Sequence, residues 1–184
     1  MTIQKFLEKI ANILDEIRVD YVVSGGVAVS IWGKPRYTAD VDIVVELKSL
    51  DSVEKMILLL QKEIKKSYLD KDRAIDAFKQ KSEFNLIEPE YGLKADFFVA
   101  KADEYGQLAI KRGETKKIGN KSIKFISPED LIISKLIWFK ESGSTRQLED
   151  ISSVMDIQRK LDKRYLNSWI KKLDLEKEWS KVKK

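Results

Sequence analysis

The chain has 184 residues, 43% of them hydrophobic and 35% charged, with a net charge of +5 and neither cysteine nor histidine. That length suits one domain, or one domain with a helical appendage, and is enough to bury a sizeable core. The two missing residue types exclude disulfides, thiolate nucleophiles, cysteine-based zinc sites, Ser-His-Asp triads and imidazole bases.

Proton transfer therefore falls to Asp, Glu, Lys or Tyr, and a metal site has to be built from oxygen, which selects hard cations such as Mg²⁺ or Mn²⁺. No apolar run reaches about 18 residues, so no membrane span is predicted. Met1-Thr2-Ile3-Gln4-Lys5 interrupts its apolar residues with charge and lacks a signal-peptide pattern, which makes the cytoplasm the expected location. The basic balance is compatible with nucleic acid or another polyanion; it also describes a salt-bridge-rich surface.

In chain order, Ile3, Phe6, Leu7, Ile10, Ile13, Leu14 and Ile17 recur at three-to-four spacing and predict an amphipathic helix. Residues 20–23 read as a short strand ending in a Ser24-Gly25-Gly26 turn. Residues 27–32 read as a brief helix stopped by Gly33 and Pro35. Along residues 40–47, Val41, Ile43, Val45 and Leu47 form one face of a strand, and Asp40, Asp42, Val44 and Glu46 the other. Ser49 or Asp51 caps a helix through Val53, Met56, Ile57, Leu60 and Ile64. Residues 68–81 suit a second helical piece or a loop. Residues 84–87 and 93–100 are predicted strands joined through Pro89 and Gly92. Residues 108–111 and 122–126 are read as strands too, with Gly119-Asn120 as the turn before the second.

Thereafter the pattern is helical. Ser127-Pro128-Glu129-Asp130 combines a serine cap, a proline at the first helical position and an acidic first turn. That helix runs to about Lys140 and breaks at Ser142-Gly143. Ser144 with Gln147 resembles a capping box for the next, through Leu148, Ile151, Val154 and Met155. Asp162 opens a third, with Leu166, Trp169, Ile170 and Leu173, and a short basic tail follows. The predicted layout is an α/β core over residues 1–126 and a helical C-terminal subdomain over 127–184 packed on it.

On a strand, residues i and i+2 share a side, so Asp40 and Asp42 project together. Two such anions repel unless a cation joins them, and a divalent metal turns the repulsion into coordination. Asp96 is the candidate third carboxylate, because Ala95, Phe97 and Val99 make a buried face opposite it. Three carboxylates would allow two metals about 3.5–4 Å apart. On an exposed strand face the same acids would pair with Lys or Arg. Gly25-Gly26 between a strand and a helix brings backbone N–H groups and a helix N-terminus towards an anion, with Ser24 adding a hydroxyl; without a ligand it is a tight turn. Ala28 and Val29 exclude the dinucleotide-binding Gly-x-Gly-x-x-Gly fingerprint. Lys135 has Leu131, Ile132, Trp138 and Phe139 as helical neighbours, so its ammonium either snorkels to water or meets an anion such as a triphosphate. Asp150 can pair with Arg146 one turn earlier. Arg36 and Thr38 can contact phosphate, and Arg36 can equally be an ion-pair partner of the acids.

Taken jointly, Ser24-Gly25-Gly26, Asp40-Val41-Asp42 and Asp96 resemble the nucleotidyltransferase superfamily that includes DNA polymerase β. Lys34-Pro35-Arg36-Tyr37-Thr38-Ala39-Asp40-Val41-Asp42 also looks like the Arg-x-Thr-x-Asp-x-Asp form of the minimal and toxin-type nucleotidyltransferases. Ser127-Pro128-Glu129-Asp130-Leu131-Ile132-Ile133-Ser134-Lys135-Leu136 and Arg146-Gln147-Leu148-Glu149-Asp150-Ile151 are similar to the C-terminal region of the AbiEii-like toxins. Gln147 stands where an acidic residue is common in that branch. The resemblance spans roughly residues 20–155.

It implies an α/β (α+β) fold: a small, mixed, twisted sheet with flanking helices and a helical C-terminal subdomain. It implies metal-dependent transfer of a nucleoside monophosphate from an NTP co-substrate to an acceptor hydroxyl, releasing pyrophosphate. Asp40, Asp42 and Asp96 would hold Mg²⁺ or Mn²⁺, and Asp96 would help deprotonate the acceptor. Ser24, Gly25 and Gly26 would cradle the triphosphate, with Arg36, Thr38 and Asp150 at the nucleotide, and Lys135 would neutralise developing charge. The acceptor stays open between RNA (a tRNA end in particular), a small molecule and a protein hydroxyl. A cognate antitoxin is a candidate partner. The alternative is a non-catalytic nucleotide-fold module acting as a toxin–antitoxin or RNA-binding partner.

Overall fold

Alternation decides which way the acids of residues 40–46 point. In strand β2 (Asp40–Glu46) Val41, Ile43 and Val45 are completely buried while the residues between them are not. The computed structural model describes residues 1–182; Lys183 and Lys184, the end of the expected basic tail, lie outside the described residues. With β1 (Asp20–Ser24), β3 (Glu83–Glu88), β4 (Leu93–Val99), β5 (Glu114–Ile118) and β6 (Lys121–Phe125), β2 forms one mixed six-stranded sheet in the order β3-β4-β2-β1-β6-β5. β2 runs antiparallel to β1 and parallel to β4, and β1 runs parallel to β6.

The buried side of the sheet joins one core with Phe6, Ile10 and Leu14 of α1 (Ile3–Glu16) and Val53, Met56 and Leu60 of α3 (Leu50–Glu63). Each fully buried side chain of this size stabilises by about 1.5–3 kcal/mol. Ser49 caps α3 through a reciprocal box with Ser52. Between α3 and β3, α4 (Lys71–Gln80) starts at Asp70, whose carboxylate accepts from the Arg73 amide. Of residues 68–81, read as a helical piece or a loop, 71–80 are thus helical, and Tyr68 bridges to Ile87.

Two expectations fail. Residues 108–111 are the end of a helix, α5 (Glu104–Lys111), and not a strand. Asp103 caps it by accepting from the Gly106 amide at 2.7 Å, and Ala109 and Ile110 bury one side, so a short apolar run that suits either structure is decided by its cap. The strand begins instead at Glu114, after Gly113, where a Cβ would overlap the Val22 side chain. The Ser144 capping box is also absent: α7 (Thr145–Ile157) has no side-chain cap, and the Gln147 amide takes the Ser144 carbonyl at 3.0 Å.

The helical segment is anchored on the sheet. Ser127 caps α6 (Pro128–Ser142) as its start signal predicts, and Gly143 ends it with φ +69°. Leu131, Ile132, Leu136, Ile151 and Val154 of α6 and α7 share the sheet's core. The short helix α2 (Gly25–Trp32) is held between the two: Trp32 Nε1 donates to the Ile126 carbonyl at 2.9 Å, and Gln158 Nε2 donates to the Trp32 carbonyl at 2.7 Å.

α8 (Lys163–Lys172) starts at Asp162 and docks through a buried polar cluster. There Asp130 accepts from Tyr165 at 2.6 Å, Ser127 at 2.6 Å and Arg112 at 3.2 Å, and Arg112 also reaches Glu129 at 3.2 Å. Within the expected basic tail, residues 176–179 form a helical turn, α9 (Glu176–Trp179). Among the described residues no helix is long and apolar enough to cross a membrane.

Candidate active site

Register brings the acids together. Ser24 of β1 lies opposite Asp42 of β2, and on the other side Asp42 pairs with Asp96 of β4 and Asp40 with Lys94. Partners in register point to the same face, so Asp40, Asp42 and Asp96 share one side of the sheet. Burial pushes the Asp42 carboxyl above its ordinary range; Lys135 opposes this, Asp96 and then Asp40 add to it, and a hydrogen bond from the Gly26 amide offsets part of it. Asp96 is engaged: Lys94 Nζ lies 2.8 Å from its Oδ2, and that bond raises the lysine above its ordinary value. Lys94 escaped the sequence reading although the same alternation that pairs Asp40 with Asp42 places it beside Asp96.

The glycines open α2 and do not form a separate turn. Ser24 occupies the cap position without a side-chain capping bond, and Gly25 follows with φ +60°. A Cβ on Gly25 would fall inside the Asp42 carboxylate, and one on Gly26 would press on Thr38 and Arg36 at 3.0–3.1 Å. Both positions need glycine because polar side chains crowd the N-terminus of α2. The anion that meets the Gly26 amide in this structure is Asp42 itself, as the positive end of a helix favours.

Asp150 does not pair with Arg146. Only 3% exposed, it takes a bidentate fork from Arg36, with Nε–Oδ1 2.8 Å and Nη2–Oδ2 2.9 Å, and an ion pair from Lys135 at 2.9 Å. Burial alone would push its carboxyl up; the Arg36 hydrogen bonds and the Lys135 charge outweigh that and hold it below the ordinary range. Lys135, 7% exposed, thus has an anion from its own chain as partner. Arg36 is an ion-pair partner as expected, but of Asp150 and not of Asp40 or Asp42. Its loop is pinned further by Ser30, which accepts from the Arg36 amide at 3.3 Å and donates to its carbonyl at 3.2 Å, and by Ser153, which accepts from the Lys34 amide at 2.7 Å. Thr38 donates to the Asp40 carbonyl at 3.2 Å.

A cleft of about 400 Å³ opens over these groups. Ser24, Gly25, Gly26, Asp40, Asp42 and Lys135 line one part of it, together with Arg36 and Thr38; Asp96, its side chain 20% exposed, and Asp150 do not line it. The other part is aromatic and had not been assigned a function: Phe98, Tyr105 and Trp138, with Arg146 and Gln147 at the start of α7. Trp138 sits one helical turn from Lys135, which is the sequence signal that could have placed it there.

No family model and no curated protein matches the sequence. Solved structures match over nearly the whole chain. The antibiotic-resistance factor ANT(2'')-Ia superposes with a TM-score of 0.61 at 12% identity, over 95% of this chain and 94% of that one. The lincosamide antibiotic adenylyltransferase LnuA, bound to lincomycin, gives 0.55 at 17% identity, over 86% and 98%. A nucleotidyltransferase-like protein from Paracoccidioides brasiliensis gives 0.54 at 18%, over 95% and 90%.

The chain has the nucleotidyltransferase fold.

Within this nucleotidyltransferase fold the oxygen-only donor set suits a hard cation, and Asp42 is a partly buried carboxylate whose charge is under-compensated. Asp40 and Asp42 therefore fit a divalent metal. Among the described residues no group of three or more acidic side chains is gathered closely enough to hold one as arranged, and Asp96 is paired with Lys94.

Proposed function

We propose that the chain is a metal-dependent nucleotidyltransferase that moves a nucleoside monophosphate from an NTP to an acceptor hydroxyl. One observation carries the reading: Asp42 takes a hydrogen bond from the Gly26 amide at the N-terminus of α2 and feels the charge of Lys135, inside a cleft that Asp40 and Lys135 also line. Asp40 and Asp42 hold the cation, Mg²⁺ or Mn²⁺, which supplies a Lewis acid for the triphosphate. Ser24, Gly25 and Gly26 present amides to the phosphates, with Thr38 beside them. Lys135, oriented by Asp150, opposes the charge that grows on the leaving group. Arg36 holds Asp150 in place and binds nucleotide only at the edge of the cleft.

The acceptor oxygen attacks the α-phosphorus, the α–β anhydride bond breaks, and pyrophosphate leaves with the electron pair. The acceptor proton passes to Asp96 once Lys94 releases it. Catalysis is then mainly positioning and electrostatics, which suits a chain without histidine or cysteine.

Three basic side chains, Arg36, Lys135 and Arg146, line the cleft against the acids Asp40 and Asp42. Asp150 already pairs with Arg36 and Lys135, so an anionic acceptor such as an RNA or tRNA end is inferred from the chain's net charge of +5. A toxin-type role with a cognate antitoxin rests on the sequence resemblance alone. A second reading, a non-catalytic nucleotide-binding module, is favoured by the Lys94–Asp96 pair, which occupies the third carboxylate.

The deciding experiment incubates the protein with each α-labelled NTP, Mg²⁺ or Mn²⁺, and total cellular RNA. Label entering RNA supports the transferase and its acceptor. NTP binding with no label in RNA, protein or small molecules supports the binding module. Transfer retained by both Asp40→Ala and Asp42→Ala would sink the mechanism.

A further inference from the structure

α6 and α7 fold back on each other through Gly143 and Ser144, and the Lys135–Asp150 ion pair fixes how they face. In such a pair, three residues forward on one helix match three residues back on the other. Trp138 and Gln147 each lie three residues from that ion pair, on the side towards Gly143. Both line the cleft. Trp138 meets Phe98 edge-on, with centroids 5.8 Å apart at 86°, and keeps 45% of its surface exposed. Gln147 Oε1 is buried without a hydrogen-bond partner. An unpaired buried carbonyl oxygen carries a desolvation cost that a ligand N–H would relieve. A half-exposed indole braced by a second ring is a stacking platform for a planar ring.

We propose that Trp138, Phe98 and Gln147 form a nucleobase subsite that selects among nucleoside triphosphates. The base stacks on Trp138, and an N–H on its edge donates to Gln147 Oε1. The phosphates extend from there to Lys135 and the N-terminus of α2. Lys135 and Trp138 are three residues apart on α6, about 4.5 Å of axial rise, so the two side chains line the same cleft from one side of the helix. Neither Trp138 nor Gln147 touches the reacting atoms, so the pair sets specificity and affinity and leaves the chemistry to the acids. The inference rests on the nucleotidyltransferase reading for the identity of the ligand, not for the existence of the ring site.

Calorimetric titration of the four NTPs, the four nucleosides and inorganic tripolyphosphate, in Mg²⁺ buffer, tests it on the wild type and on Trp138→Ala, Trp138→Phe and Gln147→Leu. At least one NTP is expected to bind ten-fold or more tightly than tripolyphosphate. Trp138→Ala and Gln147→Leu should erase most of that margin without changing tripolyphosphate binding, and Trp138→Phe should keep most of it. Gln147→Leu should also flatten the ranking among the NTPs. NTPs binding no better than tripolyphosphate, or a margin indifferent to both substitutions, would overturn the subsite. Trp138-dependent binding of a nucleoside without any binding of tripolyphosphate would uphold the subsite and overturn the phosphate reading. Thermal melts show whether each variant stays folded, and Trp138→Ala against Trp138→Phe carries the test should Gln147→Leu unfold.

Discussion

Lys135 Nζ lies 2.9 Å from Asp150 Oδ2, and the same carboxylate is forked by Arg36 from the loop just before β2. One buried anion thus ties α6, α7 and the approach to the Asp-x-Asp strand together. It is 3% exposed and does not line the cleft, whereas both cations it holds do.

Removing that anion strands a buried ammonium and a partly buried guanidinium. Asp150→Ala is expected to cost about 3–5 kcal/mol in chemical denaturation. Asp150→Asn should cost less and should remove one part of the acid sensitivity. The folded state holds this carboxyl below its ordinary range, so its stabilisation is present above the unfolded pKa and is lost as pH falls through the folded one. A Tm-against-pH series on the two proteins checks both points.

Asp42 has the opposite sign. Burial raises its folded pKa, so relative to the unfolded chain it stabilises only while protonated, and that contribution is lost as pH rises through the raised value. Asp42→Asn should therefore melt higher than the wild type at neutral pH. The gain should shrink as pH falls through the folded pKa and vanish below the unfolded one, while nucleotidyl transfer is abolished. A variant that melts lower at neutral pH would contradict this.

Gly25→Ala meets two penalties, a left-handed backbone and overlap with Asp42. The backbone alone is worth about 1–2 kcal/mol. The overlap should disappear in an Asp42→Ala background, so a double-mutant cycle on unfolding free energies is expected to show coupling between the two positions.

Lys94→Met should release Asp96 to its neighbours. Mn²⁺ binding, followed by electron paramagnetic resonance, is then expected to tighten several-fold. Unchanged affinity would mean that Asp96 has no part in the metal site.

The buried acids of α6 are structural. Tyr165→Phe removes a hydrogen bond to Asp130 and should cost about 1.5–3 kcal/mol, the range for bonds to charged groups, with NTP affinity unaltered. Equilibrium unfolding and titration on one sample separate the two effects.

Local periodicity carried much of this structure. The alternation along residues 40–47 told which side Asp40 and Asp42 would take, and the Ser-Pro-Glu-Asp signal told where α6 would begin; both hold. Residues 108–111 were misread because four apolar-rich residues fit a strand or a helix equally, and the deciding cap, Asp103, lies outside the run. The partner of Asp150 was illegible for a different reason. Arg146 is a neighbour by helical spacing, whereas Arg36 is 114 residues away in sequence and arrives only when the loop docks on α7. Gln147 and Trp138 likewise meet in one cleft only through the helix hairpin, which has no signature in either segment alone.

The ladder between β1 and β2 sets Ser24 against Asp42 and, one residue on, Val23 against Ile43. A slip of a single position would turn both acids inward, into the dry space that Val41 and Ile43 occupy, and would carry the valines to water. Such a slip asks for buried charge without a counterion, so the hydrophobic core acts as proofreader of the polar site it never touches. One residue added within residues 40–46 would force that slip, and the loss would appear first as misfolding and only then as inactivity.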